Sequence, residues 1–319
     1  MSALNKKVIV DPEELRAKIK LKSIQTKTGF ESKHTEASKY LKEIGLDLGK
    51  MREHSAKLLT AGAIVGSVAL FSAPNSLAFL PPPNEIIEKY VNSVESPPAL
   101  SRAIKLRNAL KDILPGLLRP LNRDEEKTLE KVLQELTGVP VRAALEGEHL
   151  NTTYGKIGIE QHLRRYPGDT LSNHIPKGDE YGADKSDEII KEGMAPGLGA
   201  WGYFAPSKEA LTPNLIEIER WYAVVQTLYL PNWNSRQPYL KDWYKYRKVM
   251  IVNTKNGKAV IAAIADSGPA VWTGKHFGGS PEVMNYLGGP KYKKGPVIVF
   301  FVDDPENKIP LGPVEYNEV

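Results

Sequence analysis

Residues Val249 to Leu287, VMIVNTKNGKAVIAAIADSGPAVWTGKHFGGSPEVMNYL, constrain the fold of this chain more than any other stretch. Two apolar runs rich in β-branched residues flank Asn256-Gly257. Val249 and Ile251 alternate in the first run, and Val260, Ala262 and Ile264 in the second. That pattern predicts a half-buried hairpin closed by a primed Asn-Gly turn. The second strand runs into a lone carboxylate, Asp266, at a Ser-Gly-Pro bend, so an acid is delivered at a strand end beside a glycine.

The order of these features resembles the double-psi β-barrel of the rare lipoprotein A family, the expansins and the barrel-type lytic transglycosylases. The family pattern is a Val-rich strand, Asn-x-x-Asn-Gly, a second apolar strand, Asp-x-Gly-Pro, a short loop and a Ser-initiated helix. Here these stand as Val249–Val252, Asn253–Gly257, Ala259–Ala265, Asp266–Pro269, Ala270–Gly279 and Ser280–Leu287. Two family features are absent. The Ile-Asp-Leu-Ser before the helix is replaced by Phe277-Gly278-Gly279-Ser280, which removes a second acid. Tyr239 to Tyr244 stands in place of the Leu-Pro-x-Gly-Thr that precedes the first strand. The resemblance implies an α+β chain with a C-terminal, mainly-β, double-psi-like barrel that cleaves peptidoglycan glycan strands, with Asp266 as general acid. A lytic transglycosylase needs only one carboxylate, because the sugar's own 6-hydroxyl attacks and no water is activated.

Charge sharpens the partner class. Residues 1 to 57 hold 13 Lys and Arg against 8 Asp and Glu, and the remainder holds 30 of each, so the net +5 belongs to the N-terminal arm. With no basic, aromatic-interleaved stripe in the rest, nucleic acid is not an expected partner. The absence of cysteine excludes disulfides, thiolate metal sites and a Cys nucleophile.

No charged residue lies between Lys57 and Glu85, and Leu58–Leu80 is the right length to cross a hydrocarbon core of about 30 Å. The expected organisation is therefore a cytoplasmic basic arm (1–57), a transmembrane anchor or uncleaved signal (58–80), a helical stalk (81–145) and the barrel domain (146–319). Lys50, Arg52 and Lys57 on the flank orient the barrel to the extracytoplasmic side of a single-pass membrane protein. Within the stalk, Asn122-Arg123-Asp124-Glu125 reads as a capping box, and the helix it starts carries Leu129, Val132, Leu133 and Leu136 before Gly138. Past residue 146 the β-like runs are Tyr154–Glu160, Gly199–Phe204, Tyr222–Leu230, Lys248–Val252, Ala259–Ala265 and Pro296–Val302. The connection 168–197 reads as a long exposed loop.

Glu160 and His162, in Gly-Ile-Glu-Gln-His-Leu, are the candidate partners of Asp266. All five tryptophans lie beyond residue 200. Trp272, six residues after Asp266, Trp201 and Ser267 are the candidate substrate contacts, since flat aromatic faces stack on sugar rings. Capping the turn is the competing role for Asp266. No cofactor and no bound metal are expected. A zinc-dependent cell-wall peptidase remains an alternative that requires His149, His162 and His174 to converge. The other alternative is a glycan-binding module without catalysis.

Overall fold

Six strands close on themselves. In chain order they are β1 (Tyr154–Ile159), β2 (Tyr222–Val225), β3 (Lys248–Asn253), β4 (Ala259–Ser267), β5 (Phe277–Gly279) and β6 (Lys294–Val302). The ring runs β6-β1-β5-β2-β4-β3 and back to β6. The pairs β1·β5 and β2·β4 are parallel, and the other four are antiparallel. Short flaps extend the ring: Val141–Arg142 pairs with β6, and Gly312–Pro313 with β4. The computed structural model describes residues 82–90, 102–175 and 191–314, all within the unit Phe79–Val319. The arm 1–57 and the run Leu58–Leu80 lie outside the described residues. Among the described residues no helix is long and apolar enough to cross a membrane.

Strand alternation sorts side chains between two cores. Val249 and Ile251 of β3, Val260, Ala262 and Ile264 of β4, and Val297, Val299 and Phe301 of β6 fill the barrel interior. Their neighbours Met250, Val252, Ala259, Ile261, Ile298 and Phe300 point outward and are also buried. They are covered by α1 (Pro83–Tyr90), α2 (Arg102–Ile113) and α3 (Arg123–Thr137), which supply Ile86, Leu106, Leu110, Leu129 and Leu133 to the same core. The predicted stalk is therefore a cap laid on one wall of the barrel. A strand buried on both faces reads as continuously apolar, and a helix stripe reads the same whether it covers a helix or a sheet.

The hairpin forms, with a different turn. Asn253 N–H donates to Lys258 O (2.9 Å) and Gly257 N–H to Asn253 O (2.8 Å), so the loop is the four residues Thr254–Gly257 rather than a two-residue primed turn. Gly257 sits at φ +77°, and a Cβ there would fall 1.9 Å from the Ala103 carbonyl oxygen of α2. The two asparagines have a second task. Both Asn253 and Asn256 donate to the Leu287 carbonyl near the end of α6 (Pro281–Gly288), at 3.0 and 2.7 Å. Two further helices, α4 (Pro213–Arg220) and α5 (Trp233–Tyr244), pack on the barrel; Leu240, Trp243 and Tyr244 of α5 join its interior core.

Gly199–Phe204 does not supply a strand. It forms a tight turn closed by Gly202 N–H to Gly199 O (2.9 Å), and the sixth strand is β5 instead. Three residues with two glycines carry no periodicity to read. Their pairing comes from β1 on one side and β2 on the other.

Candidate functional site

Asp266 lies one residue from the end of β4, just after an irregularity in the β2·β4 ladder. Ala223 faces Ile264 but Val224 faces Asp266, so Ala265 is an extra residue on β4. A bulge of this kind re-aims the side chains that follow it. Asp266 Oδ1 accepts two backbone N–H bonds, from Ala200 (2.7 Å) and Ser267 (2.8 Å). The first ties the Gly199–Gly202 turn over the acid, and a Cβ on Gly199 would be tight against the Ala265 carbonyl oxygen (3.1 Å) and Leu163 Cδ1 (3.3 Å). Burial raises the Asp266 pKa above the usual carboxylate value, and the two N–H bonds pull it part of the way back.

Glu160 follows β1 directly, with its N–H bonded to Gly279 O of β5 (2.9 Å). Its Oε1 pairs with Lys275 Nζ at 2.8 Å, both side chains being about a quarter exposed. The crossing is made possible by two glycines that face each other in register on β1 and β5, Gly158 and Gly278. A Cβ on Gly158 would fall 2.1 Å from Lys275 Cδ, and one on Gly278 would fall 2.6 Å from Glu160 Oε1. The Glu160 carboxyl thus occupies the space where a side chain at position 278 would emerge. Burial raises the Glu160 pKa; Lys275 lowers it, and the charge of Asp266 raises it again.

The segment from Asp266 to Lys275 is braced from β2 and the turn after it. Gln226 Nε2 donates to Pro269 O (3.0 Å) and Lys275 O (3.2 Å), and the Ser267 and Thr227 hydroxyls share a 2.5 Å bond. Val271 N–H donates to Tyr229 Oη at 3.2 Å. The brace leaves Leu228, Tyr229, Val271 and Trp272 exposed beside the acid-bearing strand end, Trp272 at 88%. Trp201 is held differently: its indole N–H donates to Lys241 O (2.7 Å), and its ring packs against the interior core.

The histidines separate. His149 bonds Glu126 (3.0 Å) and the Leu150 carbonyl, on the helical side of the molecule. His162 and His174 meet with ring centroids 4.9 Å apart, both buried, around Glu219 of α4. His162 is therefore not presented beside Glu160, although only Gln161 separates them in sequence. The Tyr222 hydroxyl donates to Gln161 O, the carbonyl of the residue that separates the two. The predicted exposed loop 168–197 begins in this buried cluster, with Asp169 and His174 covered; residues 176–190 lie outside the described residues.

No family model, curated protein or solved structure matches the chain.

The site is thus defined by its own geometry. Asp266 near the end of β4 and Glu160 just past β1 stand on strands that β5 and β2 separate in the ring, with the charge of Asp266 reaching Glu160. Ser267 and Trp272 lie on the same segment as Asp266, and Trp201 anchors the turn that caps Asp266. Sequence reasoning did not single out Lys275, Gln226, Tyr229 or the Ala200 N–H. Lys275 had a signal, because the register of two glycines leaves room for crossing side chains, but that register appears only once β1 and β5 are paired.

Proposed function

We propose that the closed barrel is a double-psi-like module that cleaves peptidoglycan glycan strands by lytic transglycosylation, with Asp266 as the acid. The observation that carries this reading is a half-buried carboxyl at a strand end, its pKa raised by burial, whose charge reaches a second carboxyl, Glu160, and whose following loop exposes a tryptophan. In the reaction, the Asp266 carboxyl gives its proton to the glycosidic oxygen as the C1–O bond breaks. The 6-hydroxyl oxygen of the same sugar closes on C1, and its proton returns to the Asp266 carboxylate, so the acid is regenerated. Glu160, held by Lys275, supplies negative charge next to the positive charge that builds at C1. Trp272 and Tyr229 offer aromatic faces for sugar rings. Access to the wall requires the barrel on the outer side of a membrane, for which the uncharged run Leu58–Leu80 is the support in the sequence.

A binding module without catalysis is favoured by one feature: both N–H bonds to Asp266 Oδ1 stabilise its ionised, non-donating form. The test is the release of 1,6-anhydro muropeptides from purified sacculi. Asp266→Asn is expected to cut the rate by about 10² to 10⁴, as removal of an acid–base group does, with sacculus binding retained. A parent chain that binds sacculi and releases nothing would establish the binding module instead.

A further inference from the structure

We propose that His162, His174 and Glu219 hold one divalent transition-metal ion of the zinc class, as a closed structural site inside the domain. Each offers one ligand atom, and these atoms lie within 4.8 Å of one another. Two imidazole nitrogens and a carboxylate oxygen are a donor set suited to zinc.

The decisive residue is His162. It is wholly buried, and neither ring nitrogen has a hydrogen-bond partner among the described residues. Its Nδ1 stands 3.4 Å from Glu219 Oε1. That separation is long for a hydrogen bond, but it equals the edge of a tetrahedron with metal–ligand bonds near 2.1 Å, about 3.4 Å. A fully buried imidazole with two idle nitrogens is costly unless something binds it.

The surroundings are those of a metal-bound histidine. His174 Nε2 bonds Asp169 Oδ2 at 2.8 Å, the carboxylate–imidazole arrangement that fixes a ligand's tautomer and aims its other nitrogen at an ion. Asp169 is itself fixed by N–H bonds from Arg165 and Thr170 and by the Asn173 amide. His174 Nδ1 meets Glu219 Oε2 at 3.0 Å, so the nitrogen opposite the Asp169 bond faces the shared carboxylate. Arg165 grips Glu219 through Oε2, at 2.8 Å from Nε and 2.7 Å from Nη2, while Oε1 accepts the Leu163 N–H at 3.1 Å and faces His162. Glu282, a buried carboxyl whose Oε2 has no hydrogen-bond partner among the described residues, is close enough for the charges of His162 and Glu219 to act on it, but it is not one of the three converging ligands.

All three ligands are buried, which shields the ion from a substrate as large as a glycan strand. It would clamp the chain after β1, the turn Leu171–His174 and α4 behind the Glu160–Asp266 site. The inference is independent of glycan cleavage.

The test uses the full chain without a histidine tag, stripped with chelator and titrated with Zn²⁺ by calorimetry and with Co²⁺ by visible absorption. One equivalent should bind, with tetrahedral Co²⁺ bands and a higher Tm. Asp169→Asn should weaken binding by about 10- to 100-fold, as loss of an outer carboxylate does. His174→Ala should abolish binding, and His149→Ala should bind like the parent. A stripped, folded parent chain that takes up neither ion overturns the proposal, as does unchanged affinity in His174→Ala. The parent titration decides the matter even where a variant fails to fold.

Discussion

Gly278 shows how much a missing side chain can decide. As a sequence letter it reads as the loss of an acid; in the fold it is the space that another acid fills. Gly278→Ala would set a methyl 2.5 Å from Glu160 Cγ and push the carboxyl off Lys275. The expected cost is about 1–3 kcal/mol, seen as a lower Tm, with most of it recovered when Glu160→Ala is added. Additive losses in the double variant would show that the two side chains do not compete for this space. Glu282 makes a different prediction. Burial pushes its carboxyl up to about 7 from the ordinary 4.5. Between those values the folded chain holds a proton that the unfolded chain releases. Its contribution to stability is therefore complete below about pH 4.5 and is lost as pH climbs to about 7. Urea midpoints with chelator present should show Glu282→Gln close to the parent at pH 4 and more stable at pH 8. At this scale the sequence disclosed Asp266, whose strand-end position is local. It hid Lys275 and the separation of Glu160 from His162, which depend on pairing across 115 residues and on what lies behind Gln161.

Among elements, those with strong local signals formed where expected. The capping box at Asn122 is complete, with Asn122 Oδ1 accepting from Glu125 N–H and the Glu125 carboxylate accepting from Asn122 N–H, and Gly138 closes α3 in the left-handed conformation. Ser280 caps α6 as the motif order implied. β5 was illegible, because its strand character is conferred by two neighbours rather than by its residues. The hairpin loop is where local and distant demands meet: Gly257 satisfies a positive φ and also gives the α2 backbone room to approach. Gly257→Val should therefore cost more than the roughly 1–3 kcal/mol of backbone strain alone. Thermal melts would show it, and a Tm within a degree of the parent would exclude both the left-handed turn and the close approach.

For the molecule as a whole, the helices are part of the barrel's burial. The outward faces of β3, β4 and β6 have Leu106, Leu110, Leu129 and Leu133 as their cover, each fully buried. A chain truncated to begin at Glu146 would uncover Met250, Val252, Ile298 and Phe300 together, a contiguous apolar face of the kind that drives aggregation. It should appear in the insoluble fraction or elute as large assemblies, whereas a chain beginning at Phe79 should be monomeric. A soluble, cooperatively melting fragment from 146 would reveal a stalk after all. Periodicity pointed to helices followed by a β-rich region, and the resemblance implied an α+β chain with a small barrel. They did not show which elements share a core, because an apolar stripe names no partner.

The crossed pair over β1 and β5 carries a consequence for how such a chain changes over generations. Gly158 makes way for Lys275, and Gly278 makes way for Glu160, so each small residue is the precondition of a large one flanking the opposite strand. None of the four can be exchanged alone without collision or an abandoned charge. They should be inherited as a quartet, and a descendant that gains an acid at 278 should have given up the glutamate at 160.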